Sequence, residues 1–157
     1  MMRIRPGGRA DAEVLSALFT ASVHTLAAPH YDAVQRRAWA DPEPDLAHWR
    51  ERLGELDVLV AERDGETAGF IGFTADGYID LLFTAPAHAR RGVARALFSL
   101  AEQRLRELGA PALRTHASRV SRPFFEQQGF VVVAVETVRL DDVGLERFEM
   151  RKAGAPA

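Results

Sequence analysis

The sequence predicts an α+β fold of mixed αβ layers: a central mixed, mostly antiparallel sheet with helices on both sides. Three observations predict it. Between residues 57 and 84 three strand-like runs follow one another, joined by Asp64-Gly65 and Asp76-Gly77. These dipeptides favour tight turns, so the three runs form an antiparallel meander. Helical periodicity is confined to stretches before and after the meander. The resulting order, β-ααα-βββ-α-β-α-ββ, has more strands than a doubly wound parallel sheet sandwiches between its helices.

The elements follow in order. Met2 to Arg5 alternates weakly and reads as an edge strand, ended by Pro6-Gly7-Gly8. Asp11 is placed to cap the first helix through its side chain. Val14, Leu15, Leu18, Phe19 and Leu26 give that helix an apolar stripe, and Pro29 ends it. A second helix spans Asp32 to Ala40, and Asp41-Pro42 and Glu43-Pro44 break the chain after it. A third runs from Asp45 to Leu53, with Gly54 as its C′ residue. The strands Asp57 to Arg63, Glu66 to Thr74 and Tyr78 to Thr84 make the meander. Arg91 to Leu108 is the longest helix, with Val93, Leu97, Leu100, Leu105 and Leu108 on its stripe, Gly109 as cap and Pro111 beyond. Ala112 to Ala117 is a short strand, and Pro123 to Gln128 a short helix ended by Gly129. Phe130 to Val138 is a β-branched strand, with Leu145 to Arg151 antiparallel to it. The chain reads as one domain over 1–157, with an unstructured tail from 152 to 157.

Composition narrows the function. With 157 residues, 47% hydrophobic and 27% charged, the chain suits a soluble globular domain. Its net charge of −2 gives no field that would gather nucleic acid or an anionic membrane. No apolar run approaches the roughly 18 residues of a membrane span. Residues Met1 to Gly8 lack the apolar stretch of a signal peptide, so the expected location is the cytoplasm. The absence of cysteine excludes disulfides, thiolate metal sites and a cysteine nucleophile. Five scattered histidines, with no His-x-x-x-His, give no reason to expect a metal. There is no Gly-x-Ser-x-Gly elbow and no P-loop, and Lys152 is the only lysine.

The informative stretch is Pro86-Ala87-His88-Ala89-Arg90-Arg91-Gly92-Val93-Ala94-Arg95, between the Tyr78–Thr84 strand and the long helix. A helix N-terminus presents unpaired N–H groups and the positive end of the helix dipole, which suits phosphate oxygens. Gly92 and the small Ala94 keep the backbone accessible, and Arg90, Arg91 and Arg95 add charge beside it.

This stretch resembles motif A of the GNAT N-acetyltransferase superfamily, Gln/Arg-x-x-Gly-x-Gly/Ala. Gly92 and Ala94 match its last two anchors, and Ala89 stands in place of the first. The run Ser118-Arg119-Val120-Ser121-Arg122-Pro123-Phe124-Phe125-Glu126-Gln127-Gln128-Gly129-Phe130 resembles motif B, Asn-x-x-Ala-x-x-x-Tyr-Glu-x-x-Gly-Phe. Ser118 falls at its Asn and Phe125 at its Tyr. His30-Tyr31, Trp39, Tyr78-Ile79-Asp80-Leu81-Leu82-Phe83 and Pro123-Phe124-Phe125-Glu126 look like the small bacterial YafP-like branch. The resemblance covers residues 3–151.

The resemblance implies an N-acyltransferase that moves acetyl from acetyl-CoA, its co-substrate, to an amine by direct attack in a ternary complex. It implies no metal, a small-molecule or peptide amine as acceptor, and it allows a homodimer. The strand residues Leu82, Phe83 and Thr84 would polarise the thioester carbonyl. Arg90, Arg91, Gly92, Val93, Ala94 and Arg95 would hold the pyrophosphate, and Ser118, Phe124 and Phe125 would complete the cofactor cleft. Asp80 falls where many members place a glutamate base. Alternation puts it on one strand face with Tyr78, Leu82 and Thr84, among apolar neighbours that would desolvate it and make it a better base. Phe125 cannot protonate the leaving thiolate, so Ser118, Ser121, Tyr78 and His116 are the candidates for that step. His30 and Tyr31 stand where the family walls the acceptor pocket. Tyr31, Gln35 and Trp39 share one helix face, although Trp39 serves equally to dock that helix, and Trp49 reads as packing. Two other readings of the loop stay open: a non-catalytic CoA-binding sensor or interaction module, suggested by Ala89 and Phe125, and a nucleotide-phosphate-binding protein.

Overall fold

A computed structural model describes residues 1–154. Seven strands form one sheet: β1 (Met2–Gly7), β2 (Asp57–Arg63), β3 (Glu66–Phe73), β4 (Tyr78–Thr84), β5 (Ala112–Ala117), β6 (Val131–Leu140) and β7 (Val143–Ala153). Their order in space is β1-β2-β3-β4-β5-β7-β6. Every pairing is antiparallel except β4 with β5. A parallel pair needs a crossover connection, and the helix between those two strands supplies it. The fold class read from the sequence is the one observed.

The helices are α1 (Ala12–Leu26), α2 (Ala33–Trp39), α3 (Leu46–Glu55), α4 (Val93–Glu107) and α5 (Arg122–Gln127). They cover opposite faces of the sheet. On one face Leu97, Phe98, Ala101 and Leu105 of α4 and Phe125 of α5 pack on Leu59, Ile71, Ile79, Leu113 and Met150. On the other face Leu15 and Leu18 of α1 and Trp49 and Leu53 of α3 pack on Val58, Val60, Phe70 and Leu81. Alternate residues of β2 thus serve alternate layers, as a pleated strand requires. Gly69 sets how closely α4 approaches. A Cβ there would lie 2.8 Å from a Val93 methyl and 2.9 Å from the Phe83 carbonyl oxygen, so glycine lets the first turn of α4 sit directly on the sheet.

Several local expectations are corrected. Pro6 and Gly7 belong to β1 and pair with Leu59 and Val58. Asp11 does not cap α1 with its side chain. Its carboxylate instead accepts the Gly8 N–H and an ion pair from Arg5 at 2.8 Å. Val14 points to solvent, and Ala12 and Val23 join the stripe in its place. Gly54 lies inside α3 rather than past its end, and its missing Cβ makes room for the Arg9 side chain. The long helix starts at Val93 and ends at Glu107, and Leu108 is exposed while Phe98 and Ala101 are buried. β7 continues through Lys152 and Ala153, so the tail does not begin at 152. The Lys152 ammonium pairs with Glu102 of α4 at 2.6 Å and lies over the Phe98 ring, clipping the last strand to the long helix. The rest of that tail, residues 155–157, lies outside the described residues. Among the described residues no helix is long and apolar enough to cross a membrane.

Candidate active site

The site is built where the sheet opens. β4 and β5 pair only at Tyr78–Arg114 and Ile79–Thr115. Beyond that point the strands diverge, and a cleft of about 1020 Å³ occupies the fork. Asp80 and His116, the first residues past the last pair, both line it.

One arm of the cleft is the loop into α4. Arg90 (φ 59°) and Gly92 (φ 81°) both adopt left-handed backbone, a conformation that glycine accepts freely and arginine does not. Gly92 occupies the N-cap position and has no side chain to offer the first turn. The first N–H bonded back along the helix is that of Ala96, to the Gly92 carbonyl. The N–H groups of Val93, Ala94 and Arg95 therefore form a donor set at the positive end of the dipole. A Cβ at Gly92 would meet nothing within 4 Å, so the glycine is required by its left-handed backbone and not by crowding. Ala89, Arg90, Ala94 and Arg95 line the cleft with them, whereas Arg91 is exposed outside it. The donor set and the flanking guanidiniums fit a polyphosphate.

The floor of this arm is Phe124 and Phe125 of α5. Phe125 is buried, its ring 5.1 Å from Phe130 and 6.3 Å from Phe98. Ser118 shapes the entry to α5: its Oγ accepts the N–H groups of Val120 and Ser121, each at 3.2 Å, and pairs with Ser121 Oγ. With both lone pairs engaged, the Ser118 hydroxyl has its single proton for either Ser121 Oγ or a ligand in the cleft.

The other arm lies on the α1–α3 face. A bulge in β4 controls it. Phe73 pairs with Ile79 and Gly72 with Leu81, which leaves Asp80 as the extra residue. The bulge breaks simple alternation. Asp80 and Leu81 both turn to the α3 side, while Leu82 turns to the α4 side. Asp80 therefore does not share a face with Leu82, as strict alternation had it. Nor is its carboxylate surrounded only by apolar atoms, because Arg52 of α3 grips it with Nη2 at 2.8 Å and Nε at 3.3 Å. Tyr78 stands nearby, with the Arg114 guanidinium over its ring at 5.3 Å. Its hydroxyl is 2.6 Å from Nδ1 of His116. Burial pushes the Tyr78 phenol up, and the Asp80 charge adds to that. Nε2 of His116 faces a Glu136 oxygen at 3.5 Å, and Arg147 holds the same oxygen at 2.6 Å.

The wall of this arm comes from the end of α1, the connection to α2 and Trp39, with His30 among the lining residues. Tyr31 does not face the cleft. It is 3% exposed, donates its hydroxyl proton to the Glu146 carbonyl at 2.8 Å and accepts the Arg119 N–H at 3.0 Å. Burial raises its phenol as well. Arg119 also donates to the His30 carbonyl and ion-pairs with Glu146. Tyr31 and Arg119 thus tie this wall to the segment that leads into α5. Trp49 is buried against Phe19 and Phe70, as expected for packing, and Trp39 both docks α2 and lines the cleft. Sequence reasoning missed Arg52, Glu136, Arg147 and Glu149. The only trace of the last three was the period-two alternation of the final strands.

Residues 27–153 match the model of the acetyltransferase (GNAT) domain. The chain belongs to the GNAT acetyltransferase family. This GNAT chain is 35% identical to the N-acetyltransferase YafP of Escherichia coli (strain K12) over 150 residues, 96% of this chain and 95% of that protein. It superposes with a TM-score of 0.92 on a GCN5-related N-acetyltransferase from Rhodopseudomonas palustris, at 31% identity, covering 96% and 94% of the two chains. The fold is also that of PaiA N-acetyltransferase from Thermoplasma acidophilum, solved in complex with coenzyme A (TM-score 0.77, 21% identity, 98% and 99% covered). The chain is a YafP-like GNAT N-acetyltransferase, and acetyl transfer is its general reaction.

Proposed function

We propose that acetyl-CoA enters the fork from the α4 side and an amine from the α1–α2 side, with transfer by direct attack in a ternary complex. The observation that carries this reading is the fork itself: an open helix N-terminus on one arm and a carboxylate on the other, with unpaired strand edge between them. The N–H groups of Val93, Ala94 and Arg95, with Arg90 and Arg95, hold the pyrophosphate. The backbone of Leu82, Phe83 and Thr84 orients the pantetheine arm and polarises the thioester carbonyl. Phe124 and Phe125 give the thioester an apolar bed, and His30 contacts the acceptor at the rim. Asp80 draws the ammonium form of the amine and takes its proton. The nitrogen lone pair then forms the C–N bond as the C–S bond breaks and its pair stays with sulfur, and the second N–H proton passes from the acylated nitrogen to the departing thiolate, giving a neutral amide and CoA thiol. The Ser118 hydroxyl is placed to stabilise the leaving thiolate. The acceptor is a small-molecule or peptide amine.

The test has two parts. Calorimetric titration with acetyl-CoA and CoA is expected to show binding of both, with ATP failing to compete. Thiol release is then followed with spermidine, phenethylamine and a blocked lysine peptide, and at least one is expected to accelerate it. Binding without release from any amine would sink the catalytic reading.

A further inference from the structure

We propose that Tyr78 and His116, oriented by Glu136, form a relay that accepts the amine's proton from Asp80. The proposal rests on the transfer reading above and goes beyond it by saying where the proton is stored.

The geometry points to the relay in three steps. The Tyr78 hydroxyl and Nδ1 of His116 are 2.6 Å apart, across the last paired positions of β4 and β5. Nε2 of the same ring faces Glu136 at 3.5 Å, and the Glu149 carboxylate lies within 4.8 Å of both groups. An ionised carboxylate can only accept, so Glu136 fixes the ring proton on Nε2 and leaves Nδ1 to accept the Tyr78 proton. The chain of donors therefore runs in one direction, from Tyr78 through the ring. His116 and Asp80 flank the apex of the fork, so one end of the relay lies at the cleft. Its other end lies at Glu136, whose side chain is 37% exposed.

The charges around the ring fit this role. Glu136 of β6 and Glu149 of β7 place carboxylates beside the ring, and Arg147 of β7 ion-pairs with Glu136. Around Tyr78 stand Asp80 of β4, Arg52 of α3 and Arg114 of β5. Burial and Asp80 keep the Tyr78 phenol protonated, so it conducts a proton and does not act as a base itself. In the step, the amine nitrogen gives its proton to Asp80. Tyr78 passes its own hydroxyl proton to Nδ1 and, since no direct hydrogen bond joins it to Asp80, takes the Asp80 proton in its place through a bridging water. His116 ends as the imidazolium between Glu136 and Glu149. Asp80 and Tyr78 return to their starting states, and the nitrogen keeps the pair that attacks the carbonyl.

The test measures kcat and KM against pH for Tyr78→Phe, His116→Gln and Glu136→Gln. It uses the fastest amine of the panel above and, separately, hydroxylamine, which is already neutral at the assay pH. With the protonated amine, Tyr78→Phe and His116→Gln are expected to lower kcat at least tenfold. Glu136→Gln is expected to move the rising limb of the profile to lower pH. KM for acetyl-CoA should stay within twofold of wild type, and hydroxylamine rates should be nearly unchanged. Wild-type kcat and limb in all three variants would overturn the relay and leave the transfer reading intact. An equal loss with hydroxylamine would overturn it too, because a packing defect does not distinguish the amines. A wild-type enzyme that binds acetyl-CoA yet turns over no amine would overturn the transfer reading and the relay with it.

Discussion

In the proposed transfer, the acceptor side turns on the Asp80 carboxylate. Asp80→Asn keeps the shape and one contact to Arg52 but removes the charge. Turnover is expected to fall by about 10²–10⁴, the usual contribution of general acid–base catalysis. Acetyl-CoA affinity, measured by calorimetry, should be unchanged, because the proposed cofactor donors lie on the other arm. Near-wild-type turnover would show that proximity and carbonyl polarisation suffice without it. At this scale the sequence was legible in part. Gly92 and Ala94 could be placed because a strand–loop–helix junction is local. The direction of Asp80 could not, since a bulge cancels alternation and nothing local announces one. Tyr31 was read as a wall of the acceptor pocket, yet its hydroxyl is spent on backbone groups 88 and 115 residues away.

Among the elements, the loop into α4 makes a differential prediction. Arg90 and Arg95 line the cleft and Arg91 does not. Alanine at Arg90 or Arg95 is expected to weaken acetyl-CoA binding by about 1.5–3 kcal/mol, the range for hydrogen bonds to charged groups. The loss should shrink in high salt. Arg91→Ala should leave the affinity alone, and equal losses at all three positions would mean diffuse attraction only. The joint between β1 and α1 makes a second. The hydrogen bond from Arg5 holds the Asp11 carboxyl below its ordinary range, and the Gly8 N–H helps. A folded-state value below the unfolded one stabilises fully above the ordinary carboxylate pKa of about 3.9, and the benefit is lost as pH falls through the lowered value. Asp11→Asn should therefore cost about 1 kcal/mol at pH 7 and almost nothing near pH 2, a modest figure because the pair is partly solvated. Thermal melts across that range check it. β2, β4 and β5 have the ends that the sequence implied, because Asp-Gly turns and a Gly/Pro break bound them. Helix ends were less legible. Gly54 signals a stop, but the Arg9 side chain covers it from a distant segment.

For the molecule as a whole, the fork between β4 and β5 was beyond sequence reasoning. Pairing between strands separated by a crossover helix leaves no local signature, and Glu136 meets His116 only after the chain has passed through α5. The fork also predicts how the molecule responds to its cofactor. Amides of residues 80–84 and 93–95 border the cleft, so acetyl-CoA should slow their hydrogen exchange, while β2, paired on both edges, should not change. Equal slowing across the whole sheet would instead indicate general stiffening. The clip of Lys152 onto Glu102 has a different consequence. Every other basic side chain among the 20 is arginine, and a guanidinium is a poor nucleophile toward thioesters. The lone ε-amino group is held against a carboxylate and an aromatic ring. An enzyme that works with an activated acyl donor thus offers that donor a single lysine side chain, and this one is already engaged.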